Sequence, residues 1–231
     1  MICKYQIGNE PIYRFEMPMI ASNMYIIMHG DQALLIDPHG NADAVHLLKK
    51  HDVKQLLIIL THEHYDHISG VNYFRKEWRC RVIGSRSCQE SVKEPAKNLA
   101  AYFMAMFITR SGEERQEIQK QIEQDYHCEV DEGFEQTWRF EFASFQVVLC
   151  ETPGHSPGSI CICINDRYLF TGDSLIPGEK TITRLPGGNR ELYQKITVPY
   201  LQSFDPETII FPGHGAEEYL RNIALPFCKT L

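Results

Sequence analysis

The chain has 231 residues, of which 43% are hydrophobic and 23% charged, with a formal net charge of −7. That length fits one large or two small domains with a substantial core, and the composition is that of an ordinary soluble globular protein. The acidic balance, with no Lys/Arg cluster to offset it, argues against a nucleic-acid surface, which carries a basic face.

The opening MICKYQIGNEPIYRF holds no apolar core of signal-peptide type. No uncharged stretch reaches the ~18 residues a bilayer span needs, so a cytoplasmic protein without a membrane partner is expected. Eight cysteines form no C-x-x-C pair, and in a chain of this size they read as reduced, mostly buried thiols. Strands are predicted at residues 12–17, 23–30 and 32–38, the last two joined by a tight Gly30-Asp31 turn. Asn41 is placed to cap a helix whose apolar face is Ala44, Val45, Leu47 and Leu48, ending near His51. The strand QLLIIL (55–60) lacks alternation, which implies burial on both faces.

A short helix over 69–78 and a strand at 80–84 follow, and residues 86–127 read as a helical insertion. Within it, LAAYFMAMFI (99–108) is apolar all round, whereas GEERQEIQKQIEQDY (112–126) is charged with Ile118 and Ile122 on one face. Strands return at 136–142, 145–153, 159–164 and 167–172, with Cys161 and Cys163 alternating against Ile160, Ile162 and Ile164. A helix at 189–202, a strand at 208–211 and a closing helix at 216–223 finish the pattern. Sheet, then helix, strand and helix, occurs twice, which predicts an α/β (α+β) fold with helices outside, as a single domain over 1–231.

Five points where strands end carry metal-capable side chains: Asp37, the cluster His62, His64, Asp66 and His67, then His155, Asp173 and His214. The carboxyl ends of strands are where sheets flanked by helices place ligands. The pattern H-x-H-x-D-H is expected only about 0.001 times by chance in a chain of this composition. Imidazoles and carboxylates suit Zn, Mn or Fe, and a single zinc uses three or four ligands. Five histidines and two aspartates are a surplus that points to two divalent ions sharing a carboxylate, with a bridging hydroxide as nucleophile.

THEHYDH, TPGHSPGS, FTGDS and FPGHG, in this order and with Asp37 ahead of them, resemble the motif set of the metallo-β-lactamase-fold hydrolases, nearest the glyoxalase II-like branch. The resemblance covers roughly residues 20–85 and 136–224. It implies a four-layered αββα sandwich. It also implies that His62, His64 and His155 hold one metal, that Asp66, His67 and His214 hold the other, and that Asp173 bridges them. Asp66 and Asp173 are then the catalytic carboxylates, and Asp37 anchors a ligand from behind. The main antibiotic-hydrolysing branch typically has Cys where Asp173 stands, so a β-lactamase role is not implied. Zinc is the leading metal, with iron and manganese the other options.

The substrate depends on the departures from that pattern. Authentic glyoxalase II enzymes carry a C-terminal helical domain that grips glutathione, and only residues 215–231 follow His214 here. The lactonase branch usually has Tyr three residues after the bridging Asp, where this chain has Ile176. His39 stands where relatives commonly have Gly and is placed to point toward the site. The apolar stretch 99–108 is a packed helix, a pocket wall with Tyr102, Phe103, Met106 and Phe107, or a homodimer interface. Lys180 and Arg184, in the loop after Asp173, are candidates for clamping a substrate carboxylate, and Tyr65 for a substrate contact. The leading expectation is hydrolysis of a thioester, lactone or related small-molecule ester. A mononuclear iron persulfide dioxygenase, a nucleic-acid phosphodiesterase and a non-enzymatic scaffold are the other readings.

Overall fold

The computed structural model describes residues 2–224. Strands β1 (Ile2–Ile7), β2 (Glu10–Glu16), β3 (Asn23–His29), β4 (Gln32–Ile36), β5 (Gln55–Ile59), β6 (Arg79–Ser85) and β7 (Glu132–Phe134) form one sheet in chain order. Pairing is antiparallel up to β4 and parallel from β4 to β7. The second sheet holds β8 (Thr137–Phe142), β9 (Phe145–Glu151), β10 (Ile160–Ile164), β11 (Tyr168–Gly172), β12 (Ile209–Pro212) and β13 (Glu218–Tyr219), in spatial order β13-β12-β11-β10-β9-β8. Only its β11–β12 pair is parallel.

Side-chain alternation sorts these strands into layers. In β5, Leu56 and Ile58 face an outer core while Leu57 and Ile59 face the other sheet, which is why the segment shows no polar alternation. In β10, Ile160, Ile162 and Ile164 face inward between the sheets, while Cys161 and Cys163 join Leu169, Leu201 and Ile210 on the far side. Between the sheets Phe170 and Phe211 stack at 4.6 Å, and Tyr25 of the first sheet meets both edge-on. Helices cover both outer faces, giving the αββα order.

Helix α1 (Ala42–Lys50) starts as the sequence predicts, with the Asn41 side chain accepting from the Ala44 N–H at 3.0 Å. The helix expected at 69–78 instead begins inside the motif, as α2 (Tyr65–Ile68), and resumes as α3 (Val71–Arg75). Gly70 lies between them because a Cβ there would come within 2.7 Å of the Pro38–His39 backbone. Residues 86–127 are less helical than expected. They give α4 (Arg86–Ser91), a 3-10 helix at Ala100–Phe107 and α5 (Gly112–Gln119), with turns between. Leu99, at φ 65, interrupts any continuous helix through the stretch.

The helix at 189–202 forms as α6 (Arg190–Leu192), a π turn at Tyr193–Thr197 and α7 (Val198–Gln202). The closing helix does not form over 216–223. Edge pairing of Tyr219 with Ile209 and of Glu218 with Ile210 makes β13 instead, followed by a 3-10 turn at Leu220–Asn222 that buries Leu220. β1 has no counterpart in the sequence reading, since KYQI lacks a strong apolar run. Among the described residues no helix is long and apolar enough to cross a membrane.

Candidate metal centre

Asp37 ends β4, the THEHYDH turn follows β5, Asp173 follows β11, and His214 follows β12, so the parallel strands deliver their ends to one rim. His155 arrives on the β9–β10 connection. The structure brings all seven sequence-predicted metal-capable residues together there. The donor atoms of His62, His64 and His155 lie within 4.8 Å of one another, as do those of Asp66, His67 and His214. Asp173 sits between the trios. Its oxygens are 3.5 Å from His67 Nε2, 3.6 Å from His155 Nε2 and 3.6 Å from His214 Nε2.

Each ring is turned by what holds its far side. His67 Nδ1–H donates to Asp37 at 2.9 Å, and His62 Nδ1–H donates to Thr61 Oγ1 at 3.0 Å. The carbonyl of Ile182 accepts from His155 Nδ1 at 2.8 Å, and that of Ile20 from His214 Nδ1 at 3.2 Å. With Nδ1 engaged behind, each Nε2 is turned toward the shared space. His64 contributes Nδ1, 3.1 Å from His155 Nε2. His62 Nε2, His64 Nε2, His67 Nε2 and Asp173 Oδ1 are buried without a hydrogen-bond partner. Orphaned buried acceptors are costly unless something cationic completes them.

The spacing fits a cation. A tetrahedral ion with ligand bonds of about 2.1 Å has ligand–ligand edges of about 3.4 Å. The separations of 3.3 Å from Asp66 to both His67 and His214 bracket that edge with the values above. A third grouping, Asp37 with His62 and His67, also falls within 4.8 Å. There, however, the carboxylate is already used: Oδ1 accepts Thr61 N–H at 2.7 Å, and Oδ2 accepts Thr61 Oγ1–H at 2.5 Å as well as His67. Asp37 thus holds Thr61 and His67 from behind, with both of its oxygens already engaged.

Burial, reinforced by neighbouring imidazoles, holds His62 well below the usual histidine range and His64 down at about 3, so both rings keep free lone pairs. His155 is lowered by burial as well. At His67 burial opposes the charged form but Asp66 and Asp173 outweigh it, and the ring is raised. His214 is raised too, because Asp66 and Asp173 overcome its burial. The first trio is thus neutral, while in the second the raised His67 and His214 face the carboxylates of Asp66 and Asp173. Asp37→Ala should release His67 and Thr61 together and weaken metal affinity about 10- to 100-fold, measured by chelator competition. Unchanged affinity would contradict the anchoring role.

Glu63, between His62 and His64, carried no assignment from sequence. It is fully buried, accepting from Ser156 Oγ–H at 2.9 Å and from Gly158 N–H at 3.4 Å, and so ties the THEHYDH turn to the His155 turn. Its position inside the motif was the signal. Burial lifts its carboxyl from 4.5 to about 7, against those two hydrogen bonds. Below 4.5 both folded and unfolded chains are protonated. From 4.5 to 7 only the unfolded chain releases the proton, so stability falls across that window and then levels. In metal-free protein Glu63→Gln should gain on the parent by up to about 3 kcal/mol between pH 5 and pH 8. Urea melts giving a pH-independent difference would exclude it.

Arg14, Asn23 and Tyr25 were also invisible as site residues, because their partners lie 187–201 positions away. Tyr25 O–H and Asn23 Nδ2 donate to the Pro212 carbonyl, and Arg14 and Asn23 donate to that of Gly215, which pins the FPGHG turn. His39 is buried with its ring nitrogens 3.3 and 3.4 Å from the carbonyls of Phe15 and Gly40, so it braces the turn behind the centre instead of facing it.

Above the centre opens a cavity of about 580 Å³. Of the candidate substrate residues, Tyr65, Tyr102 and Phe103 line it, with Met106. Tyr65 also packs on Phe103 at 4.9 Å and accepts the Glu123 N–H through its hydroxyl. Lys180 and Arg184 do not line it. The loop turns Ile176, Ile182 and Leu185 inward and leaves both cations exposed, since an unpaired charge against apolar walls is unfavourable.

The model of the metallo-beta-lactamase superfamily matches residues 18–214. The chain is 26% identical over 206 residues to the probable metallo-hydrolase YqgX of Bacillus subtilis, covering 88% of this chain and 90% of that one. It is 24% identical over 195 residues to the hydroxyacylglutathione hydrolase GloC of Haemophilus influenzae, with 80% of each chain covered. The crystal structure of the BLEG-1 B3 metallo-beta-lactamase superposes with a TM-score of 0.73 at 24% identity, covering 91% and 95% of the two chains. A likeness at that identity is one of fold, which many activities share. With the motif residues gathered at one rim and the family match running from residue 18 to His214, the chain belongs to the metallo-beta-lactamase superfamily.

Proposed function

We propose that this protein is a binuclear metal-dependent hydrolase of a thioester, lactone or related ester. The observation that carries the reading is the pair of ligand trios joined by Asp173 at the floor of a cavity large enough to enclose a small molecule. His62, His64 and His155 would hold one divalent ion, and Asp66, His67 and His214 the other, with Asp173 shared. When bound, such ions activate water as a nucleophile and stabilise the developing oxyanion.

The rest is done by the chain. Asp37, Thr61 and the Ile182 and Ile20 carbonyls fix the imidazoles beforehand, so no ligand has to reorganise during turnover. Asp66 and Asp173 border the cavity floor, and both are kept anionic by the imidazoles around them, so their charge lies where the ions would be held. The apolar walls limit water around the reacting carbonyl. The similarity to a hydroxyacylglutathione hydrolase supports thioester chemistry at this centre.

Chelator treatment should abolish turnover of a thioester and lactone panel, and added zinc, manganese or iron should restore it. Turnover that survives complete metal removal would refute this reading, as would failure of every ester at full metal loading.

A further inference from the structure

Resting on the hydrolase reading, we infer that the substrate is an uncharged molecule with an extended hydrocarbon portion, and that glutathione thioesters are poor substrates. Tyr102, Phe103 and Met106 from the 3-10 helix face Ile176, Ile182 and Leu185 from the loop after Asp173 across the cavity. Among the described residues no Lys or Arg lines it, and Glu179 is the charged side chain on the wall away from the centre. A glutathione conjugate would bring two carboxylates into this space, where no cationic side chain among the described residues of the wall receives them. A desolvated anion against apolar walls and Glu179 is strongly disfavoured.

The apolar surface continues outward. Tyr102 is 57% exposed, Met106 59% and Ile182 45%, so the hydrophobic lining reaches the mouth. The same 3-10 helix is anchored by Phe107 in the outer core, and Phe103 reaches both that core and the cavity. The wall is also set from its start. Leu99 lines the cavity from a left-handed conformation at φ 65, which a leucine adopts only when its surroundings impose it. Those surroundings are Asn98, wholly buried, whose Nδ2 donates to the Val92 and Tyr126 carbonyls while Oδ1 accepts the Ala100 N–H. A volume of about 580 Å³ lies within the range of about 300–1,000 Å³ that encloses a drug-sized ligand.

The test uses metal-loaded protein with N-acetylcysteamine thioesters from acetyl to octanoyl, beside S-lactoylglutathione. Binding of the non-hydrolysable thioethers N-acetyl-S-ethyl- and N-acetyl-S-octylcysteamine is measured by calorimetry. Each methylene buried should raise kcat/KM and thioether affinity by about 3- to 4-fold, and S-lactoylglutathione should fall behind the octanoyl ester. Met106→Glu should reduce the octanoyl-to-acetyl ratio by about 10-fold or more, with circular dichroism establishing the fold. Glu179→Gln should improve S-lactoylglutathione relative to the octanoyl ester by about 3-fold. Equal affinity for the two thioethers, or preference for S-lactoylglutathione, overturns the inference and leaves the hydrolase reading intact. Chain-length-dependent thioether binding with no turnover of any ester does the reverse.

Discussion

Asp173→Ala is expected to bind at least one metal equivalent fewer and to lose kcat/KM by about 10³-fold or more, the equivalent of roughly 4 kcal/mol of lost transition-state stabilisation. The expectation follows from its position between the trios, within 3.5–3.6 Å of His67, His155 and His214. No neighbour can substitute. Asp66 is engaged with His67 and His214 on one side, and Asp37 is bound from behind by Thr61 and His67. The lowered acidity range of Asp173, in which the surrounding imidazoles overcome its burial, keeps it an anion available to cations. Asp173→Asn keeps the shape and removes the charge, and it should show a similar loss of metal. Full metal content and turnover in either variant would sink the shared-carboxylate assignment.

Gly213→Ala, a single methyl, should be nearly as damaging to activity while leaving the chain folded. A Cβ at that position would lie 2.1 Å from Asp173 Oδ1, 2.8 Å from His67 Cε1 and 2.9 Å from the Gly172 carbonyl carbon. The Asp173 and His67 side chains must both retreat, and a misplacement of about 1 Å at a reacting centre costs on the order of 10²-fold in rate. Retreat of the backbone is resisted, because Gly213 N–H donates to the Gly172 carbonyl at 2.8 Å and its own carbonyl accepts the Asn23 N–H at 2.7 Å. Overpacking should cost about 1–3 kcal/mol of stability. Kinetics together with metal retention through gel filtration would register the change. Parental values for both would mean that the turn gives way freely.

The seven metal-capable residues were legible because each sits next to a glycine, a proline or a strand end, and because histidine and aspartate at that density have no packing purpose. The layered fold was legible for a similar reason: QLLIIL and ICICI are apolar on both faces, as strands between two layers must be. The segment 86–127 was not, because apolar residues all round a stretch say that both sides are covered or lined without saying by what. The Leu99 backbone then splits it, sending Phe107 into the core and Tyr102 and Met106 to the cavity. The strand β13 was missed because its pairing with β12 overrides a local pattern that also suits a helix. The contacts of Arg14, Asn23 and Tyr25 beneath His214 join opposite ends of the chain, and nothing local in their sequence announces them. Lys180 and Arg184 show the converse. Proximity to Asp173 in sequence suggested a clamp, but the loop turns its apolar residues in.

Two cations at one rim is the claim on which the proposed chemistry depends, and metal content per chain tests it most directly. Elemental analysis of protein purified without added metal, and again after loading and gel filtration, should reach two equivalents of a divalent metal per chain. A ceiling of one equivalent in fully loaded, folded protein would contradict the account and leave one of the two trios without its ion.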